Sequence, residues 1–174
     1  LDVHSIGAGG GSIAHIDSVG SLIVGPKSAG AKPGPACYGM GGKNPTVTDA
    51  NCVLGRVAPS EFMPSGLNLN NNFALKAITN KVATPLKINH IQAAAGIIEI
   101  CNLKMSTAVR SITIERGLDP SDFTLCAYGG AGPMHACWIA KQLGIPRVLI
   151  PIAPGQFSAL GILLSQIRHD LVRT

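Results

Sequence analysis

Apolar positions along the chain change their period from one region to the next, and those changes mark its elements. In residues 3–24 they come as short runs, at 3–6, 12–16 and 21–24, with Asp17-Ser18-Val19-Gly20 between the last two. Short apolar runs separated by turn residues predict strands, here a three-stranded meander. The longest helical signal follows Asn89. Ile91, Ala94, Ile98, Cys101, Met105, Ala108 and Ile112 keep a 3.6-residue period, Asn89 supplies an N-cap, and Gly117 supplies a stop with Pro120 just beyond. A shorter helix is expected over residues 73–81. The pattern then alternates: strand 124–128, glycine turn, helix 134–143, strand 147–150, turn, helix 157–166. Early hairpins followed by strand–helix crossovers predict a mixed α/β domain, with a mixed sheet and flanking helices.

Two stretches break the pattern. Residues 25–45, GPKSAGAKPGPACYGMGGKNP, form a long irregular segment, and structureless segments of that length in a domain usually carry function or move. It leads into Thr46-Val47-Thr48-Asp49, where Thr48 is the expected N-cap of a short helix over residues 50–55. Residues 59–72 are polar and punctuated, so the region 56–90 is expected as an excursion within a domain spanning residues 1–174.

Composition narrows the class. The chain has 174 residues, 46% of them hydrophobic and 13% charged, enough to bury a core in one domain. The apolar run at 148–153 is interrupted by Pro151, far short of the roughly 18 residues a membrane span requires. The chain opens at Leu1 with no methionine and no basic-then-apolar leader, as expected of a piece of a longer protein. Its five cysteines form no C-x-x-C pair, which suits a reducing, cytoplasmic setting. The net charge of +5 is scattered and only 4% of residues are aromatic, so nucleic acid is not an expected partner.

The candidate chemistry lies in glycine. SIGAGGGSIAHID, residues 5–17, puts four glycines into five positions between apolar runs. Gly9, Gly10, Gly11 and Ser12 either point several backbone N–H groups at one anion or serve a tight hairpin. A second cluster, Gly129-Gly130-Ala131-Gly132, sits where a strand ends and a helix begins, a junction that combines bare amides with the positive end of a helix. Close helix-on-sheet packing is the alternative. GGAGPM breaks the G-x-G-x-x-G spacing, and no G-x-x-x-x-G-K-[ST] is present.

VHSIGAGGGSIAHID, VGPKSAGAKPGPACYGMGGKNPTVTDANCVLGR, LCAYGGAGPMHA and PGQFSALGILLSQIRHDLVRT, in that order, resemble the hydantoinase A / 5-oxoprolinase family, which also holds subunits of acetone and acetophenone carboxylases. The resemblance implies an α/β lobe of an actin-like (ribonuclease H-like) ATPase fold, in which two lobes close on ATP. It implies that Gly9, Gly10, Gly11 and Ser12 hold the ATP phosphates and that Gly129, Gly130 and Gly132 form the adenosine turn. Residues 158–161 would then belong to the helix connecting the lobes. ATP with Mg²⁺, a cyclic amide substrate, and a hydantoinase B-like subunit or domain are the implied cofactors and partners.

Two departures stand out. The chaperone members of the superfamily carry an aspartate just ahead of the first glycines, where Gly7 or Ala8 stands here, and the second turn lacks their adenine-stacking arginine. The family's first phosphate loop is absent, so the chain resembles one lobe of a larger enzyme, inactive by itself.

Among the remaining residues, Asp49 is the expected metal-orienting, catalytic carboxylate, with a first-turn helix-dipole role as the alternative. Asp2 and His4 would share one strand face. Cys37, in a loop, has the best claim of the cysteines to reactivity or metal contact, against a packed thiol. His135 either touches a ligand at the second bend or serves as a local cap or a solvent-exposed residue. His15, His90 and His169 have no metal-ligand spacing, Arg168-His169-Asp170 is expected at the surface, and Trp138 in the core.

Overall fold

In the computed structural model, residues 3–57 and 68–166 are described. The expected surface run at 168–170, Asp2, His169 and part of the expected excursion (58–67) lie outside the described residues.

β1 (Ser12–Ile16) and β2 (Leu22–Ser28) pair antiparallel, with Ala14 opposite Val24 and Ile16 opposite Leu22. The Asp17 carboxylate closes their turn by accepting from the N–H groups of Val19 (3.0 Å) and Ser21 (2.8 Å). Residues 3–6 join no ladder, so the expected meander is a two-stranded hairpin. The physical reason is local. The register slips between the Ser12 and Ala14 pairs, and Pro26, which has no N–H, faces Gly7 there. The other edge of β1 is taken by the chain ahead of the next helix, since the Ala14 N–H donates to the Pro45 carbonyl at 2.8 Å.

α1 (Val47–Val53) starts three residues earlier than its apolar pattern suggests. Its N-cap is Thr46 rather than Thr48, because Asp49 completes a reciprocal capping box with Thr46. α2 (Asn71–Ile78), capped by Asn70, runs on through a wide π turn (Thr79–Ala83) into α3 (Thr84–Leu86). Within the expected excursion, then, residues 71–86 are helical and send Ile78, Val82 and Ala83 into the main core. α4 (His90–Ile112) is capped by Asn89 as expected. It stops at Ile112, and Gly117 closes the separate short turn that follows.

α4 is the spine of the domain. Ala93, Ala94, Ile97, Ile98 and Cys101 pack against Ala14 and Val24 of the hairpin, Val47 and Ala50 of α1, and Ile78 and Val82. Beyond it, β3 (Thr124–Cys126), α5 (Gly132–Leu143) and β4 (Arg147–Leu149) form the expected parallel crossover. Ile139, Ala140 and Leu143 of α5 meet Met105 and Val109 of α4, with Trp138 half-buried at the margin rather than in the core. The described residues thus hold two separate two-stranded sheets where one mixed sheet was expected. α6 (Phe157–Leu164) buries none of its residues. No helix among the described residues is long and apolar enough to cross a membrane.

Candidate functional site

The first bend is built from its own hydroxyl. The Gly9 N–H donates to Ser12 Oγ at 3.0 Å and the Ser12 N–H returns to the Gly9 carbonyl at 3.0 Å. Ser12 is buried and spent on shaping the bend. The carbonyls are tied from behind: Gly10 O accepts from both Thr48 N (2.9 Å) and Thr48 Oγ1 (2.9 Å), and Gly11 O accepts from Ala29 N (2.8 Å). With the carbonyls anchored, the Gly10 and Gly11 N–H groups are left without a protein acceptor among the described residues. Two oriented, unpaired amides are the elements of an anion cradle. Gly11 borders an open cleft of about 210 Å³ between Gly7, Gly9, Ser12, Pro26 and Ser28.

The absence of side chains is enforced at Gly10. A Cβ there would lie 2.8 Å from Thr48 Oγ1 and 4.0 Å from Ala131 Cβ. The second of these distances matters most, because Ala131 belongs to the second glycine cluster. The tertiary structure therefore brings the two bends close together at Gly10 and Ala131.

At the second bend the Gly129 N–H donates to the Pro154 carbonyl (2.8 Å) and Ala127 N to the Leu149 carbonyl (2.9 Å), fixing the turn at the end of β3. α5 begins at Gly132, two residues earlier than expected, with Pro133 in its first turn. Gly130 and Gly132 donate to no protein acceptor among the described residues, and a Cβ at Gly129, Gly130 or Gly132 would meet open space. Tyr128, half exposed, stands beside this bend with its ring 5.3 Å from that of Phe157.

Asp49 has a different place from the one expected. It is fully buried. One carboxylate oxygen accepts from Cys37 N (2.7 Å), and the other from Ala36 N (3.2 Å), Thr46 N (2.8 Å) and Thr46 Oγ1 (2.8 Å). Internal donors occupy both oxygens, so the carboxylate pins the 36–37 loop to the start of α1. No group of three or more His, Cys, Asp or Glu among the described residues is arranged to hold a metal ion. With Asp49 saturated and the Ser12 and Thr48 hydroxyls committed to the bends, the donor set at the bends does not fit Mg²⁺. Cys37 is the packed thiol of the two alternatives: burial, and then the adjacent Asp49 carboxylate, push its pKa well above the usual thiol range.

His135 is buried one turn into α5, its Nδ1 2.6 Å from Asn102 Oδ1 on α4. Burial and then Arg56 hold its pKa below the usual imidazole value. It neither caps its helix nor reaches solvent; it ties the helix behind the second bend to the spine. Lys104, two residues past Asn102, does the same for the hairpin by donating to the Val24 carbonyl at 2.5 Å. Sequence reading missed Thr48 as the clamp on Gly10, Ala131 as its neighbour, and the Asn102 and Lys104 ties. The polar Thr48, Asn102 and Lys104 in otherwise apolar helical stretches were the only available signal. His4 is exposed, beside a cleft with Lys104.

A sequence profile described as hydantoinase/oxoprolinase matches residues 1–171. The chain is 49% identical, over 100% of its own length and 25% of the relative's, to caprolactamase subunit alpha of Pseudomonas jessenii. It is 46% identical, over 95% of itself and 22% of the relative, to acetophenone carboxylase gamma subunit of Aromatoleum aromaticum. The crystal structure of the ATP-dependent caprolactamase from Pseudomonas jessenii superposes on 97% of the chain, and 24% of the other, with a TM-score of 0.87 and 49% identity. The chain spans about a quarter of the length of these relatives.

Proposed function

We propose, from the premise that this chain belongs to the hydantoinase/oxoprolinase family, that it is the nucleotide-binding lobe of an ATP-dependent enzyme opening cyclic amides. The lobe is of the actin-like ATPase type, works in the cytoplasm, and closes on ATP with a second lobe elsewhere in the longer polypeptide. The observation that carries this reading is the approach of Gly10 to Ala131, which brings two bends that each hold unpaired amides close together. A polyphosphate anchored by charge-assisted N–H bonds, about 1.5–3 kcal/mol each, suits that arrangement. Gly10 and Gly11 take the phosphates, while Gly9, its N–H spent on Ser12 Oγ, joins Ser12 in holding the bend. Gly129, Gly130 and Gly132, with the start of α5 and the Tyr128 ring, take the adenosine.

ATP supplies what a lactam lacks. Amide resonance makes the ring carbonyl a poor electrophile. Attack of the carbonyl oxygen on the γ-phosphorus expels ADP and leaves an activated carbon. Water adds there, the ring C–N bond breaks as the nitrogen takes up a proton, and a second water hydrolyses the resulting acyl phosphate to the carboxylate and free phosphate. Within this chain the residues bind and orient the nucleotide. Asp49 acts at one remove, by holding the loop and helix from which Thr48 clamps Gly10, and the lobe alone turns over no ATP.

The likeness to an acetophenone carboxylase subunit supports a second reading, in which the same phosphoryl transfer activates a ketone enolate or bicarbonate. Relatives named as subunits also fit assembly with a second subunit of the hydantoinase B type. Phosphate release by the full-length protein, assayed with its partner subunit on caprolactam, 5-oxoproline, hydantoin, and acetophenone with bicarbonate, separates the two. Stimulation by a cyclic amide is expected; stimulation by the ketone with bicarbonate alone overturns the first reading.

A further inference from the structure

We propose that the cleft between α2 and the 42–43 loop is a second ligand site, for a small organic anion with a flat apolar body. It is a cavity of about 350 Å³, lined by residues that the nucleotide reading does not use. Lys43 comes from the loop, and Phe73, Lys76, Asn80 and Lys81 from the helical stretch.

The helix itself explains why Lys76 and Lys81 line the same cleft as Lys43. In an unbroken α-helix the buried stripe of Ala74, Ala77 and Ile78 would continue through position 81, seven residues after Ala74. The π turn at Thr79–Ala83 inserts an extra residue, so the core takes Val82 and Ala83 instead. Lys81 is thereby rotated out of the stripe and into the cleft beside Lys76 and Asn80. Single π turns inside helices recur at functional positions.

The opposite wall is rigid. A Cβ at Gly42 would strike the Gly34 carbonyl and lie 3.0 Å from the Pro35 carbonyl carbon, so the loop is packed main chain against main chain. Phe73 is held over Gly39, where an added Cβ would sit 3.6 Å from its ring, and it still leaves 48% of its surface exposed. No acidic residue lines the cleft, and none of the three lysines forms an ion pair among the described residues. Uncompensated like charges around an apolar floor repel one another. An anion offsets that repulsion, a planar body covers the Phe73 face and the lysine stems, and the Asn80 amide can donate to it or accept from it. The ligand chemistry is an aromatic or alicyclic carboxylate or phosphate ester.

The test uses the full-length protein, with its nucleotide site first saturated by a non-hydrolysable ATP analogue, so that failure of the nucleotide assignment and failure of this one remain distinct. Calorimetric titrations with benzoate, adenosine monophosphate and inorganic phosphate are compared. At least one ringed anion is expected to bind at one site per chain and more tightly than inorganic phosphate; whichever is tighter identifies the acid group. The double variant Lys76→Gln, Lys81→Gln should weaken it roughly tenfold or more, and Phe73→Leu about threefold. Should the double variant fail to fold, Lys43→Gln on the opposite wall gives the same reading. Absence of binding by all three probes overturns the proposal, as does unchanged affinity in the lysine variants.

Discussion

Replacing Gly10 by valine is the sharpest probe of the paired bends. Gly10 does not have a positive φ, so valine fits the backbone and the effect is steric. The new Cβ would stand 2.8 Å from Thr48 Oγ1, too close to coexist with the hydroxyl that donates to Gly10 O. Moving that hydroxyl loses one hydrogen bond, about 1 kcal/mol of stability. The valine methyls also fill the gap toward Ala131 and shield the Gly10 amide. Losing one charge-assisted N–H bond to phosphate, about 1.5–3 kcal/mol, weakens nucleotide binding roughly 10- to 100-fold. Gly9→Ala is the control, because an added Cβ there has no neighbour within 4 Å. Calorimetric titration of the full-length protein with a non-hydrolysable ATP analogue, beside a thermal melt, reads both quantities. The expected result is a large loss of affinity with a small drop in melting temperature for Gly10→Val and near-wild-type behaviour for Gly9→Ala. Unchanged affinity in Gly10→Val would refute the reasoning.

Two further outcomes test the supports. Asp49→Asn turns charge-assisted bonds into neutral ones and sets an amide NH₂ against an N–H donor, so it should cost about 3 kcal/mol in denaturant unfolding. A variant that melts like wild type yet has lost activity would instead point to direct chemistry at Asp49. Burial and then Arg56 depress the His135 pKa in the folded chain, so it takes up its proton at lower pH than the unfolded chain, which does so near pH 6.5. The unfolded state therefore binds more protons as pH falls through 6.5, and stability drops by at most about 1.4 kcal/mol per pH unit from this group. His135→Gln should flatten that part of the curve between neutral pH and the folded-state value; equal acid sensitivity in variant and wild type contradicts it.

Elements that depend on neighbours along the chain are readable from residue order alone. The 3.6-residue period from Ile91 to Ile112 and the Asn89 cap are local signals, so α4 was legible, as were the crossover β3–α5–β4 and both glycine bends. Local periodicity also misled. It read residues 3–6 as a strand, but a strand needs a partner edge, and Pro26 with its bulge removes that edge. Residue type at the helix start points to Thr48 as the cap, and the family resemblance to Asp49 as a metal-orienting carboxylate. Thr46 and the 36–37 loop, distant or ambiguous in sequence, claimed the carboxylate first. Only the tertiary structure decided that Gly10 lies against Ala131, more than a hundred residues away, because packing both bends onto α4 through Lys104 and Asn102 is a three-dimensional matter. Turn chemistry and helical period are written in adjacent residues; which surfaces then meet depends on how whole elements exclude water together.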